Sequence, residues 1–226
     1  MARLLPRKIR RVLIDIDTQY DLLNHTNQDR SGILSRIRRL IAWARVRQIP
    51  VISTALSRPG IENSVTPAGS PTECIEGTAG QRKICYTLLH NHIRFGPENR
   101  LDLPRHLLSD YQQVIFEKRT EDPFTHPRTD RMLTDLKRDE FIVFGMGLER
   151  AVKATVLGLL YRRKKVLVVI DAVNGCNVRE TKLALRQMEA KGAKLITTES
   201  LTGVSQLVGK IRLKPPPHSV LSHSSS

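Results

Sequence analysis

The run KVLVVIDA at residues 165–172 constrains the fold more than any other segment. Its apolar side chains alternate to both sides of an extended chain, which is typical of a central parallel strand that is covered on both faces. Other β-type runs lie at residues 12–16 (VLIDI), 51–56 (VISTAL), 112–118 (QQVIFEK), 140–146 (EFIVFGM) and 195–200 (LITTES). We therefore predict about six strands.

Helical patterns separate these runs. Apolar residues between positions 33 and 44 recur at the three-to-four spacing of a helix with one buried stripe. Further helices are predicted near residues 129–136, 149–161 and 178–191, and Gly192 provides a suitable C-terminal cap for the last of them. The alternation predicts an α/β fold, a doubly wound, Rossmann-like parallel sheet with right-handed crossovers.

Residues 1–210 are predicted to form a single domain, which suits a chain of 226 residues. Residues 57–111 interrupt the alternation and are too long for a plain connection, so we expect a folded excursion between the second and third strands, near the site. Residues 211–226 end in PPPHSVLSHSSS, a low-complexity composition that predicts a disordered tail.

The chain carries 37 Lys and Arg against 22 Asp and Glu, a formal net charge of +15. This charge is either a solvated basic surface or a contact with a polyanion such as nucleic acid, or with an acidic partner. No apolar run reaches the ~20 residues that cross a bilayer, so no membrane contact through a spanning helix is predicted. Three cysteines fit a reducing compartment, and we expect a cytoplasmic protein.

Ligands of open parallel sheets bind beyond the carboxyl ends of the strands. Asp17 ends the first predicted strand, Lys118 ends the third, and the turn at residues 145–151 joins the fourth to its helix. A carboxylate beside an ammonium stays ionised and can move protons, and a helix N-terminus can hold an oxyanion. These groups predict a catalytic crevice that still needs an attacking group.

Five segments in this order resemble the isochorismatase-like cysteine hydrolases, a superfamily that includes nicotinamidases. They are residues 17–22 (DTQYDL), 74–80 (CIEGTAG), 118–124 (KRTEDPF), 145–155 (GMGLERAVKAT) and 171–172 (DA). The resemblance implies that Asp17 is the general base and that Lys118 orients it. It also implies an oxyanion region with a cis peptide bond in the turn at 145–151.

The nucleophilic cysteine of this family aligns with Ala151, and no Cys, Ser or Thr lies between Gly147 and Ala154. Alanine cannot attack a carbonyl, so the thioester route is closed at this position. The resemblance further implies substrate contacts for four residues: Gln19, Phe124, Gly147 and Arg150.

Three functions remain open at this point. The first is a pseudoenzyme-like site that binds a small carbonyl or carboxylate compound, with absent or altered hydrolysis. The second is cleavage of a vinyl ether, as in the isochorismatases, with Asp17 as the acid and no nucleophile. The third is a basic protein whose surface binds nucleic acid or an acidic partner. The resemblance also implies that a homo-oligomer is to be considered.

No metal or cofactor is predicted. Residues 54–58 (TALSR) occupy the place where nicotinamidases bind metal, and hydroxyls and an arginine are poor ligands. A zinc site built from Cys74, Cys85, His90 and His92 has no common spacing. Cys176 as a relocated nucleophile and His126 as a crevice residue are weaker candidates. For Asp21 and Glu149 the favoured roles are a hydrogen-bond acceptor and a helix N-terminal carboxylate.

Overall fold

The computed structural model describes residues 9–24, 29–60 and 72–203. They contain one parallel sheet in the order β3-β4-β2-β1-β5-β6-β7. The strands are β1 (Arg11–Ile16), β2 (Val51–Leu56), β3 (His92–Phe95), β4 (Gln113–Lys118), β5 (Glu140–Gly145), β6 (Val166–Val173) and β7 (Lys194–Ile196). The helices are α1 (Tyr20–Asn24), α2 (Arg30–Arg47), α3 (Leu107–Asp110), α4 (Pro127–Asp135), α5 (Lys153–Tyr161), α6 (Val178–Ala190) and α7 (Thr198–Thr202).

The predicted doubly wound α/β fold is confirmed. Strands β2 and β5 are buried along their whole length, because helices flank the sheet and leave little of these strands for water. Helix α2 buries the apolar stripe read from the sequence and packs with α7, and α5 packs with α6. None of the described helices combines the length and apolar character needed to cross a membrane.

The sheet has seven strands rather than about six. Strand β3 lies inside the 57–111 stretch, at the edge of the sheet, where only one neighbour pairs with it and its side chains alternate between exposed and half-buried. Such a strand lacks the continuous apolar run that marks the inner strands. Strand β6 is next to the opposite edge, and the centre of the sheet is β1.

The predicted strand at residues 195–200 was too long. Strand β7 ends at Ile196, because Thr197 caps α7 in a capping box with Ser200. The helix predicted at 149–161 begins with a π-helical turn, Leu148–Val152, before α5. The predicted tail at 211–226 lies outside the described residues.

The strand order places the site. From β1 the chain moves outward through β2 to the edge strand β3 and then returns to β4, which lies between them. From β5 it moves outward through β6 to β7 on the other side of the sheet. The order therefore reverses between β1 and β5, the switch point at which such sheets bind ligands. Asp17 follows β1, and the 145–151 turn follows β5.

Candidate active site

Asp17 is buried immediately after β1, in a left-handed backbone conformation with φ of 49°. One carboxylate oxygen, Oδ1, accepts a hydrogen bond from the Thr54 hydroxyl at 2.6 Å. The other, Oδ2, lies 2.7 Å from Nζ of Lys118. A non-glycine residue in this conformation costs roughly 1–2 kcal/mol, and these two bonds from β2 and β4 hold it there.

Lys118 ends β4, and its side chain is withdrawn from water. Besides Asp17, its ammonium donates hydrogen bonds to the carbonyls of Thr120 at 3.0 Å and Glu121 at 3.2 Å. The three acceptors match the three N–H donors of a lysine ammonium. Lys118 thus fastens the loop after β4 to the carboxyl end of β1.

The turn between β5 and α5 passes very close to β1. A Cβ atom on Gly145 would lie 2.1 Å from the Ile16 carbonyl oxygen, and φ is 132° there, so only glycine fits. Gly147 is also left-handed, with φ of 71°. Its carbonyl accepts from the Val152 N–H at 3.1 Å, the i-to-i+5 bond of the π-helical turn that contains Ala151.

Asn174, after β6, occupies two N–H groups of this turn. Its side-chain Oδ1 accepts from the Gly147 N–H at 2.9 Å, and its backbone carbonyl accepts from the Leu148 N–H at 2.8 Å. Those two donors are therefore engaged by the protein itself. The expected cis peptide bond is not found, since every peptide bond in the described ranges is trans.

Asp17, Gly147, Arg150 and Ala151 all line one crevice, together with Leu22, Leu56, Arg58, Glu73, Glu121 and Met146. Its interior measures about 10 Å³, room for about one water molecule. An ion pair between Arg150 and Glu121, 2.8 Å apart, lies at its wall, and its two side chains are 49% and 33% exposed. Asp17 and the turn at 145–151 therefore share one crevice, which is closed in this structure. Lys118, which the sequence also places there, contacts Asp17 but does not line the crevice.

Two of the predicted substrate contacts lie elsewhere. The amide of Gln19 donates to the carbonyls of Leu56 and Gln81 and accepts from the Leu56 N–H, at 2.6–2.8 Å. Phe124 packs against Gly158 of α5 and lies under the Arg162 guanidinium, 3.9 Å from the ring centroid. Neither residue lines the crevice, because backbone groups bind the Gln19 side chain and the Phe124 side chain packs on α5.

Asp21 and Glu149, for which structural roles were favoured, both accept hydrogen bonds from the protein. Asp21 accepts from the Cys74 N–H at 2.7 Å and so holds the 74–80 loop. Glu149 accepts from the Thr181 hydroxyl at 2.7 Å and from the Asn177 N–H, and this joins the π-helical turn to the start of α6.

The minor candidates for chemistry are not part of the crevice. His126 caps α4 through Thr129 and reaches the Gly96 carbonyl at 3.1 Å, and burial lowers its pKa. Cys176 is exposed, with a pKa raised by partial burial. A raised pKa leaves less of the nucleophilic thiolate.

The metal ligands of nicotinamidases have no equivalent at the end of β2. The Thr54 hydroxyl is committed to Asp17, and the Ser57 hydroxyl accepts from Gln81 at 2.9 Å. Arg58, which follows, is a cation. In the part of the chain that the structure describes, no three His, Cys, Asp or Glu side chains are close enough to hold a metal ion. These residues do not fit a metal.

A second buried acid–lysine pair, which was not predicted from the sequence, lies beside β1. Nζ of Lys83 lies 2.9 Å from Oδ2 of Asp15, and both side chains are completely buried. Lys83 also donates to the Thr18 hydroxyl at 2.7 Å, and Ser53 donates to Asp15 at 2.8 Å. Oδ1 of Asp15 has no hydrogen-bond partner. A carboxylate inside the VLIDI run was the available signal, since a buried charge requires a partner.

A buried acid–lysine pair thus lies at the switch point of a doubly wound sheet, beside the turn that follows β5. The sequence matches the model of the isochorismatase domain over residues 11–200, and the chain belongs to that family. A comparison with curated proteins gave no match.

Solved structures share this fold. A MAR1 ribonuclease from Caenorhabditis elegans is 24% identical over the whole of both chains, with a TM-score of 0.60. A zinc-bound pyrazinamidase from Pyrococcus horikoshii is 21% identical over 83% of this chain and 99% of its own, with a TM-score of 0.63. A nicotinamidase from Bacillus subtilis is 16% identical over 83% of this chain and 99% of its own, with a TM-score of 0.61.

Proposed function

We propose that this family member binds a small carbonyl or carboxylate compound in the Asp17 crevice without hydrolysing amides through a thioester. The observation that carries the proposal is that Ala151 lines the same crevice as Asp17. A base is present there, and the side chain at the family's nucleophile position is a methyl group. A methyl group can form no covalent intermediate with a carbonyl.

The cations of the crevice suit an anionic or carbonyl oxygen. Nε of Arg58 is buried and has no hydrogen-bond partner. Arg150 is held by Glu121 in a pair that is a third to a half exposed. Such pairs contribute about 0–1 kcal/mol, so a ligand carboxylate can replace Glu121 at little cost and open the crevice. Arg58 and Arg150 would then hold the ligand.

Thermal unfolding with nicotinate and with nicotinamide tests this proposal. The ligands should raise the melting temperature of the wild type, and more so in Glu121→Gln, because Arg150 is released. The effect should vanish in Arg58→Gln. The matched control is Glu76→Gln, which breaks the exposed 2.8 Å pair with Arg119 outside the crevice and should change nothing. No shift in either the wild type or Glu121→Gln would count against binding.

Cleavage of a vinyl ether is the alternative enzymatic function. It is supported by the retained Asp17, because this reaction needs an acid and no nucleophile. Both carboxylate oxygens, however, already accept hydrogen bonds, one from the Lys118 ammonium and one from the Thr54 hydroxyl. Assaying isochorismate with the wild type and Asp17→Asn tests this function, because an acid-dependent enzyme loses its activity in the variant.

Binding of nucleic acid is a third candidate, favoured by helix α2. Its 18 residues include six arginines and no acidic residue. Among the described residues, Arg38, Arg45 and Arg47 form no ion pair and are exposed. The solved ribonuclease with the same fold is consistent with this candidate. Single-stranded RNA should bind with an affinity that falls steeply with salt, and absence of binding at low salt would remove the candidate.

A further inference from the structure

Another cavity lies at the amino-terminal ends of the strands, on the opposite side of the sheet's strand axis from Asp17, which lies at their carboxyl ends. It measures about 540 Å³ and is open to solvent near the amino-terminal ends of β1, β2 and β5. Its walls include four arginines, Arg10, Arg11, Arg47 and Arg138, and one aromatic residue, Trp43. Ile9, Ile49 and Pro50 supply apolar surface. We call it the Trp43 cleft.

Two of the four cleft arginines have no carboxylate of their own. Arg10 pairs with Asp139 at 3.5 Å, and Arg11 pairs with Glu140 at 2.8 Å. Within the described ranges neither Arg47 nor Arg138 forms an ion pair, and Nε of Arg138 is buried without a hydrogen-bond partner. A buried N–H without an acceptor is unfavourable, so an acceptor brought by a ligand would stabilise this side of the cleft.

The carboxyl end of α2 is the main feature that opposes an anion here. A helix terminus carries roughly half a negative charge. The last turn of α2 is already satisfied, however, because the Ala44 carbonyl accepts from the Ile49 N–H at 2.9 Å and Gln48 caps the helix. Two unpaired guanidinium charges outweigh half a charge of opposite sign, so the cleft attracts anions.

We propose that the Trp43 cleft binds a nucleoside phosphate, with the base stacked on Trp43 and the phosphate held by Arg47 and Arg138. Indole surfaces stack on bases of any sequence, and guanidinium groups bind phosphate oxygens in pairs. An acidic peptide would leave the aromatic and apolar surface of the cleft unused. The source of the nucleotide is either a free mononucleotide or a single RNA strand. This inference rests on the nucleic-acid function proposed above and gives it a defined site.

The cleft carries its own spectroscopic reporter. Trp43 is the single tryptophan of the chain, so stacking of a base on it quenches the intrinsic tryptophan fluorescence of the whole protein. The full chain is titrated at low salt with adenosine monophosphate, with an oligoadenylate of about ten nucleotides and with polyglutamate. Anisotropy of a labelled oligoadenylate measures total binding in parallel.

Arg47→Gln and Arg138→Gln are compared with Arg45→Gln. Arg45 lies on the same last turn of α2, is exposed and does not line the cleft. All three changes remove one positive charge, and Arg47 is exposed, so that its variant folds as the wild type does.

We expect saturable quenching that weakens about tenfold in Arg47→Gln and Arg138→Gln and stays unchanged in Arg45→Gln. If adenosine monophosphate binds as tightly as the oligoadenylate, the ligand is a free nucleotide. If the oligoadenylate binds more tightly, the ligand is an RNA strand. RNA binding without quenching, or an equal loss of affinity in Arg45→Gln, overturns the proposal that the Trp43 cleft is the site. Binding to the basic surface then remains as the explanation. Equal quenching by polyglutamate overturns the proposal that the ligand is a nucleotide. If no ligand binds at all, both the cleft proposal and the proposed nucleic-acid binding are overturned.

Discussion

Nζ of Lys118 lies 2.7 Å from Oδ2 of Asp17, and this contact spans two strands that are not neighbours in the sheet. Strand β2 lies between them and contributes Thr54 to the other carboxylate oxygen. The pair therefore ties three strands together at their carboxyl ends. It has a structural role whatever the chemistry, so its presence beside Ala151 does not by itself require that the crevice be catalytic.

Lys118→Met should destabilise the fold by about 3–5 kcal/mol, because it leaves the Asp17 carboxylate buried without its cation. Asp17→Asn combined with Lys118→Met should recover part of this loss by removing the uncompensated charge. The measurement is the free energy of unfolding in urea. Lys165→Met is the control, since Lys165 pairs with Glu140 but is 63% exposed and should cost under about 1 kcal/mol. Equal losses in the two single variants would refute a structural pair.

Protonation of His126 should weaken the fold as the pH falls. Burial lowers its pKa from the usual value of about 6.5, so the unfolded chain takes up the proton first. The contribution of the neutral ring is complete above pH ~6.5 and is lost as the pH falls toward the lower folded pKa, with a slope of at most about 1.4 kcal/mol per pH unit.

The matched variant for this titration is His126→Asn, which can still cap α4 through its side-chain oxygen. Unfolding free energies of the two proteins from pH 7 to pH 5 should diverge, with the wild type losing more. Parallel curves would show that His126 does not contribute to the acid sensitivity.

Cys74 should resist alkylation in the folded protein. Burial, followed by the nearby carboxylates of Asp17 and Asp21, raises its pKa to about 12, so hardly any thiolate exists at neutral pH. Exposed Cys85 serves as the internal control. Peptide mapping after iodoacetamide treatment should find Cys85 modified and Cys74 modified only after unfolding. Rapid modification of native Cys74 would contradict its complete burial at the start of the 74–80 loop.

Ala151→Cys should place a thiol in the crevice. Intact-protein mass spectrometry with acrylamide should detect an adduct that the wild type lacks, and it should form faster when Glu121→Gln is added, since the closed crevice admits about one water molecule. Ala151→Ser, of nearly the same size but without a thiol, should show the adducts of the wild type alone. An unchanged adduct pattern in Ala151→Cys would mean that position 151 does not face the crevice.

The inner strands could be predicted from their apolar runs. Asp17, Lys118 and Ala151 could be placed because they lie directly after β1, at the end of β4 and in the turn after β5. Strand β3 could not, since an edge strand with alternating exposure resembles a loop. Lys83 lies in the same unpatterned stretch, so its contact with Asp15 depends on tertiary packing alone. The closed crevice depends on the side-chain conformations of Arg150 and Glu121, which no spacing encodes. Gln19 and Phe124 matched family positions, yet backbone carbonyls and α5 hold their side chains.

Release of ammonia from nicotinamide tests the central claim most directly, namely that the site has its acid–lysine pair but no nucleophile. The wild type should release no more ammonia than Asp17→Asn, because a methyl group at position 151 cannot form the acyl intermediate. Ammonia release by the wild type that disappears in Asp17→Asn would contradict the account.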